Sequence, residues 1–149
     1  MSTVAASSGG LAKTVPKVTL TRRYRFAASH RMYSPAFSEQ ENRNIYGKCS
    51  NPYGHGHNYV LEVTIGGSLD PATGMIANLG DLDPFVQKQV LDAFEYRNLN
   101  EEVPEFKTLV PTTENITRVI FERLRAFPVA RLMRVRIEET SNNSFEYSG

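Results

Sequence analysis

Two stretches of alternating residues, each carrying histidine at one end, constrain this chain more than any other feature. Only an extended strand sends every second side chain to the same side. In the first stretch Val18, Leu20, Arg22, Tyr24, Phe26 and Ala28 share a face that ends in His30. The second opens with His55-Gly56-His57 and keeps Tyr59, Leu61, Val63 and Ile65 on that face, against Asn58, Glu62 and Thr64 on the other, with Val60 the exception. Pairing the two strands gathers all 3 histidines of the chain. Gly56 lets the backbone bend toward an ion between them. Three neutral imidazoles leave a fourth coordination position free, which describes a catalytic zinc site; a structural site is normally closed by four protein ligands. A lone His-x-His is more often a pair of surface or hydrogen-bonded histidines, and the third ring at a matching strand end turns the balance to metal.

With 149 residues the chain fits one domain able to bury a core without staples. A net charge of +1, with acidic and basic residues interspersed, gives no footprint for nucleic acid or an anionic membrane, so small-molecule chemistry is the expectation. One cysteine forms no intrachain disulfide, and neither a membrane-spanning apolar run nor a secretion signal is evident. A reducing, cytoplasmic setting is expected. Residues 1–17, rich in Ser, Ala, Gly and Thr, read as a disordered arm, and residues 18–149 as a single domain.

From Val18 the pattern runs strand, loop, strand, two helices, two strands. That order, ββααββ, belongs to the α+β class, an antiparallel sheet with helices on one face. Asp70-Pro-Ala-Thr-Gly74 is a turn. Asp81 or Asp83 is expected to cap the first helix, with Pro84 in its first turn and Leu82, Phe85, Val86, Gln89, Val90, Ala93 and Phe94 as its inner stripe. Thr112 or Thr113 caps the second, whose stripe is Ile116, Val119, Ile120 and Leu124 and which ends near Pro128. A last hairpin joins Leu132–Thr140 to Ser144–Tyr147 around Asn142 and Asn143.

Two further residues draw attention. In the last long strand Met133, Val135 and Ile137 form an apolar face that Glu139 continues, while Arg134, Arg136 and Glu138 suit solvent. An inward carboxylate needs a cation or N–H donors; an internal arginine or an opening strand end would satisfy it, and so would the paired N–H groups of a heterocycle. Cys49 sits in a polar loop, Tyr46-Gly-Lys-Cys-Ser-Asn51, between two candidate zinc ligands. Lys48 and a nearby dication would favour its thiolate. It reads as a fourth metal ligand or as a general base, and the spacing does not choose.

Taken together, Phe26-Ala-Ala-Ser-His-Arg31, Tyr46-Gly-Lys-Cys-Ser-Asn-Pro-Tyr-Gly-His-Gly-His-Asn58, Asp70-Pro-Ala-Thr-Gly-Met75, Thr112-Thr-Glu-Asn115 and Glu139-Thr140 resemble the 6-pyruvoyl-tetrahydropterin synthase family. The related 6-carboxytetrahydropterin synthases have a shorter Cys-to-His loop. The resemblance runs from about Arg23 to the C-terminus. It implies the tunnelling fold (T-fold): a four-stranded antiparallel sheet with two helices, three protomers closing a barrel, two trimers forming a homohexamer, and active sites between protomers. It implies a Zn2+ cofactor on His30, His55 and His57, Cys49 as catalytic base, Glu139 as anchor of the pterin, and Thr112, Thr113 and Glu114 lining the pterin pocket. The implied reaction converts 7,8-dihydroneopterin triphosphate to 6-pyruvoyl-tetrahydropterin and inorganic triphosphate, in a tetrahydrobiopterin-type pathway. Arg25, Arg31 and Lys48 are the candidate cations for the triphosphate.

One departure stands out. The family carries an Asp-His pair before its Asn-Leu motif, a proton relay reaching a neighbouring protomer's cysteine. The corresponding run here is Phe94-Glu-Tyr-Arg-Asn-Leu99, so Glu95 and Tyr96 take those places. An ordinary tyrosine titrates near pH 10, far from the best range for proton shuttling. Two other functions stay open beside the synthase: a relative that cleaves the pterin side chain, giving 6-carboxytetrahydropterin or 6-hydroxymethylpterin, and a weakly catalytic pterin-binding protein.

Overall fold

The computed structural model describes residues 17–149. Of the arm expected over residues 1–17, residues 1–16 lie outside the described residues, and Lys17 already belongs to the first strand. Strand β1 (Lys17–His30) pairs antiparallel with β2 (His55–Ser68) along its whole length, from Lys17 opposite Ser68 to His30 opposite His55. The matched alternation excludes a one-residue slip, which would turn one strand's apolar set to the opposite face. β2 also pairs with β4 (Arg131–Thr140), which forms a hairpin with β5 (Asn143–Tyr147).

These four strands are antiparallel as expected, but the sheet has a fifth member. A two-residue strand β3 (Arg97–Asn98) runs parallel to β1, giving the order β3-β1-β2-β4-β5. No pattern of period two can be read in two residues.

Phe26, Tyr59, Leu61, Val63, Ile65, Val135 and Ile137 form the buried face of the sheet. Its fourth-strand contribution departs from simple alternation. A bulge opposite Thr64 and Ile65 skips Met133, so Leu132 turns inward and Met133 is left 38% exposed.

Above this face lie α2 (Leu79–Val86), its continuation through one π turn (Gln87–Leu91) into α3 (Asp92–Phe94), and α5 (Thr113–Leu124). Leu82, Val86, Val90 and Phe94 are all buried. Steps of four outrun the 3.6 residues of an α-helical turn, and the wider π turn keeps this row aimed at the core. The cap of α2 is Asn78, accepting from Gly80 N–H at 2.8 Å, so neither Asp81 nor Asp83 serves and Pro84 lies inside the helix. Asp83 instead takes Arg22 and the Tyr24 hydroxyl, tying α2 to β1. Thr112 caps α5 as expected, accepting from Asn115 N–H at 3.3 Å.

Between β1 and β2, where the sequence pattern predicts a loop, the chain forms a helix, α1 (Glu39–Tyr46), then a 3-10 turn over Gly47–Ser50. A short α4 (Leu99–Glu102) follows β3. Among the described residues no helix is long and apolar enough to cross a membrane.

Candidate metal centre and active site

The end-to-end pairing of β1 with β2 sets His30 against His55, and the two-residue step along β2 places His57 beside them. One ring nitrogen from each lies within 4.8 Å of the other two. His30 and His55 approach through Nε2 to 3.2 Å. Two imidazole nitrogens on a tetrahedral zinc at ordinary bond lengths stand roughly 3.3 Å apart.

The donor set fits such an ion. His30 is buried and its Nδ1–H donates to the Pro111 carbonyl at 2.7 Å, which leaves the Nε2 lone pair facing the other rings. Burial holds both His30 and His55 below the ordinary imidazole range, so both are neutral donors at pH 7. His57 Nε2 is buried and makes no hydrogen bond. Its nearest acidic neighbour, Glu139 Oε1, lies 3.2 Å away without hydrogen-bond alignment. A cation between the rings would account for a buried imidazole nitrogen left over in this way.

Several contacts hold this arrangement. Gly54, at φ +69°, packs on the chain just after β1; a Cβ there would stand 2.6 Å from the His30 carbonyl oxygen. The Asn100 side chain grips both peptide groups of Arg31, accepting from its N–H at 2.7 Å and donating to its carbonyl at 2.9 Å. Neither Asn100 nor Pro111 stood out in the sequence.

Cys49 is half-buried in the 3-10 turn, whose carbonyl accepts from Met32 N–H at 2.8 Å. Its thiol is pushed upward, first by burial and then by the Glu139 charge, with Lys48 opposing. Without a cation at the histidines the loop therefore favours thiol over the expected thiolate. Glu139 stands in a bulge between β4 and β5, its side chain 14% exposed. One carboxylate oxygen faces His57 and the other accepts from Asn143 at 3.2 Å. Beside it, the buried Tyr59 hydroxyl has no hydrogen-bond partner among the described residues.

Of the α5 entry residues, Thr112 is committed to the cap, Thr113 is buried with its carbonyl accepting from Thr117, and Glu114 is exposed in the first turn. Glu95 and Tyr96 lie along the β1 edge, away from the rings' meeting point. Glu95 accepts from Ala27 N–H at 2.9 Å. Tyr96 is 84% exposed, at φ 56°, on the rim of a cleft of about 560 Å³ that reaches His57 and Asn58. Of the three candidate cations, Arg31 is bound to the Ser50 carbonyl and lies over the Tyr33 ring, Arg25 lines a second cleft with Glu95, and Lys48 is exposed beside Cys49.

The family model described as 6-pyruvoyl tetrahydropterin synthase matches residues 19–149. The chain belongs to the 6-pyruvoyl tetrahydropterin synthase family. It is accordingly a lyase-type enzyme. The human 6-pyruvoyl tetrahydrobiopterin synthase is 44% identical over 131 residues, covering 87% of this chain and 90% of the relative. The solved 6-pyruvoyl tetrahydropterin synthase of Caenorhabditis elegans superposes with a TM-score of 0.86 at 42% identity, over 91% of this chain and 97% of that one. A more distant relative, the 6-carboxy-5,6,7,8-tetrahydropterin synthase of Haemophilus influenzae, is 35% identical over 121 residues, 68% of this chain and 84% of its own length.

Proposed function

We propose that this chain is a zinc-dependent 6-pyruvoyl-tetrahydropterin synthase that converts 7,8-dihydroneopterin triphosphate to 6-pyruvoyl-tetrahydropterin and inorganic triphosphate, in a tetrahydrobiopterin-type pathway. The observation that carries this reading is the convergence of one ring nitrogen each from His30, His55 and His57, within 4.8 Å, beside Glu139. Zinc bound there supplies Lewis acidity that makes the hydrogens next to the substrate's side-chain hydroxyls easier to remove. Cys49 takes those protons as the general base. Hydrogens lost from the side chain end on the pterin ring and the triphosphate leaves with its bonding pair, so no external oxidant or reductant is required.

Glu139 anchors the amino-pyrimidine edge through its two oxygens. Thr112, Thr113 and Glu114 line the pterin pocket, the last being exposed and free to turn toward a ligand. Arg25 and Lys48 are the candidate cations for the triphosphate: among the described residues neither has an acidic partner, whereas Arg31 is already bound to the Ser50 carbonyl. The assembly is a homohexamer with active sites between protomers, in keeping with an edge of β1 that, among the described residues, pairs with another strand only at Ala28 and Ser29. Tyr96 is the exposed side chain able to reach a neighbouring site.

The absence of an imidazole at Tyr96 favours, as a second reading, a side-chain-cleaving pterin enzyme. Incubating zinc-loaded protein with 7,8-dihydroneopterin triphosphate, with and without chelator, separates the two. Triphosphate release with the mass of the 6-pyruvoyl product, abolished by chelator, is expected. A shortened pterin would establish the second reading, and unchanged bound substrate would make the protein a binder.

A further inference from the structure

The segment after α3 lies against the edge of β1 that β2 does not cover. Glu95 Oε2 accepts from Ala27 N–H at 2.9 Å, and Tyr96 N–H donates to the Ala27 carbonyl at 2.6 Å. Ala28 and Ser29 then pair with Arg97 and Asn98. Asn100 completes the run by holding the N–H and carbonyl of Arg31. Residues 95–100 thus serve the β1 edge from Ala27 to Arg31, three residues before His30 to one after it. A strand edge otherwise leaves such groups to water or to another chain.

We infer that Glu95 is a positioning residue: its carboxylate closes the upstream end of a clamp that holds β1 in register up to His30, within its own protomer. Three observations bear on this. The half-buried Glu95 has a carboxylate oxygen committed to the Ala27 backbone N–H. Tyr96 occupies the left-handed region at φ 56°, where a bulky residue is strained, and its contact with Ala27 is what that conformation delivers. The His30 ring is fixed at Nδ1 by Pro111, so its Nε2 is aimed correctly only while the strand beneath it keeps its place. A clamp at both ends of residues 27–31 meets that need.

The consequence for metal rests on the zinc reading above; the clamp itself does not. The test compares Glu95→Ala, Glu95→Gln and Glu95→Asp by three measurements: amide hydrogen exchange at Ala27 in metal-free protein, zinc affinity by chelator competition, and the pH profile of kcat. Glu95→Ala should speed Ala27 exchange by about tenfold. It should weaken zinc binding by roughly tenfold, while Glu95→Gln, which keeps an acceptor oxygen, restores both to within about twofold with an unchanged pH profile. Glu95→Asp should recover less than Glu95→Gln. The inference is overturned if Glu95→Gln loses kcat as deeply as Glu95→Ala while exchange and zinc affinity stay at the parent level. Unchanged Ala27 exchange in Glu95→Ala overturns it equally. A parent protein that bound no zinc would refute the metal reading, and the Ala27 exchange would still decide the clamp.

Discussion

His30 and His55 stand opposite one another in the β1–β2 ladder, and their Nε2 atoms approach to 3.2 Å. Burial depresses both imidazoles below the ordinary 6.5, so protons bind the unfolded chain more readily than the folded one. Their contribution to stability is therefore full above about pH 6.5 and is lost as pH falls through the depressed values. Metal-free protein should show a falling melting temperature from pH 7 to pH 5. Zinc at a hundredfold excess over its Kd should add about 2.7 kcal/mol at pH 7.5, and His55→Ala should abolish most of that gain.

Gly54 connects the Cys49 loop to His55, the first residue of β2. With φ at +69° and the His30 carbonyl 2.6 Å from any Cβ, Gly54→Ala meets both backbone strain and a clash with main chain that cannot swing aside. A loss of about 1–3 kcal/mol in denaturant unfolding is expected, together with weaker zinc binding, because relief of the clash moves His30 and His55 apart. Gly74→Ala is the control: it shares the positive φ, but nothing lies within 4 Å of its Cβ.

Cys49 has two possible employments that substitution separates. As a base it is dispensable for metal, so Cys49→Ala should keep the zinc affinity of the parent while kcat falls by roughly 10²-fold or more. Zinc affinity falling in step with kcat would make the thiol a ligand.

Tyr96 combines a strained backbone with an exposed ring. Tyr96→Gly relieves the left-handed conformation at the cost of added chain entropy, and stability should stay within about 1 kcal/mol of the parent. A drop in kcat in that variant, with Ala27 amide exchange unchanged, would then report the loss of the phenol. Tyr96→His should raise kcat near neutral pH, where an imidazole titrates. Equal rates in parent, glycine and histidine variants would exclude a proton-transfer role for this position.

The site was far more legible in the sequence than the sheet edge around it. Alternation in β1 and β2, broken at Val60, excludes odd slips, and the end-to-end register the strands adopt brings His30, His55 and His57 together. Alternation fails at Met133, where a bulge between β4 and β2 puts Leu132 inside instead. The stripe of α2 was legible because four buried residues recur along it, whereas its cap was not, since Asn78, Asp81 and Asp83 are all good caps and only tertiary contacts assign Asp83 to Arg22 and Tyr24. Helix α1 had a local signal in the capping box of Ser38 and Glu41. It lacked an apolar stripe, for Asn42 is its buried residue and works by hydrogen bonds to Ser34, Phe37 and Ser38. The clamp of residues 95–100 left no periodic trace because it acts through backbone groups and two side chains.

The most direct test of the open three-histidine centre is X-ray absorption fine structure of zinc-loaded protein. Nitrogen scatterers from three imidazoles at about 2.0 Å, with the remaining position filled by a light atom and no sulfur, are expected. A sulfur shell at about 2.3 Å would place Cys49 on the metal, close the site and contradict its assignment as the base.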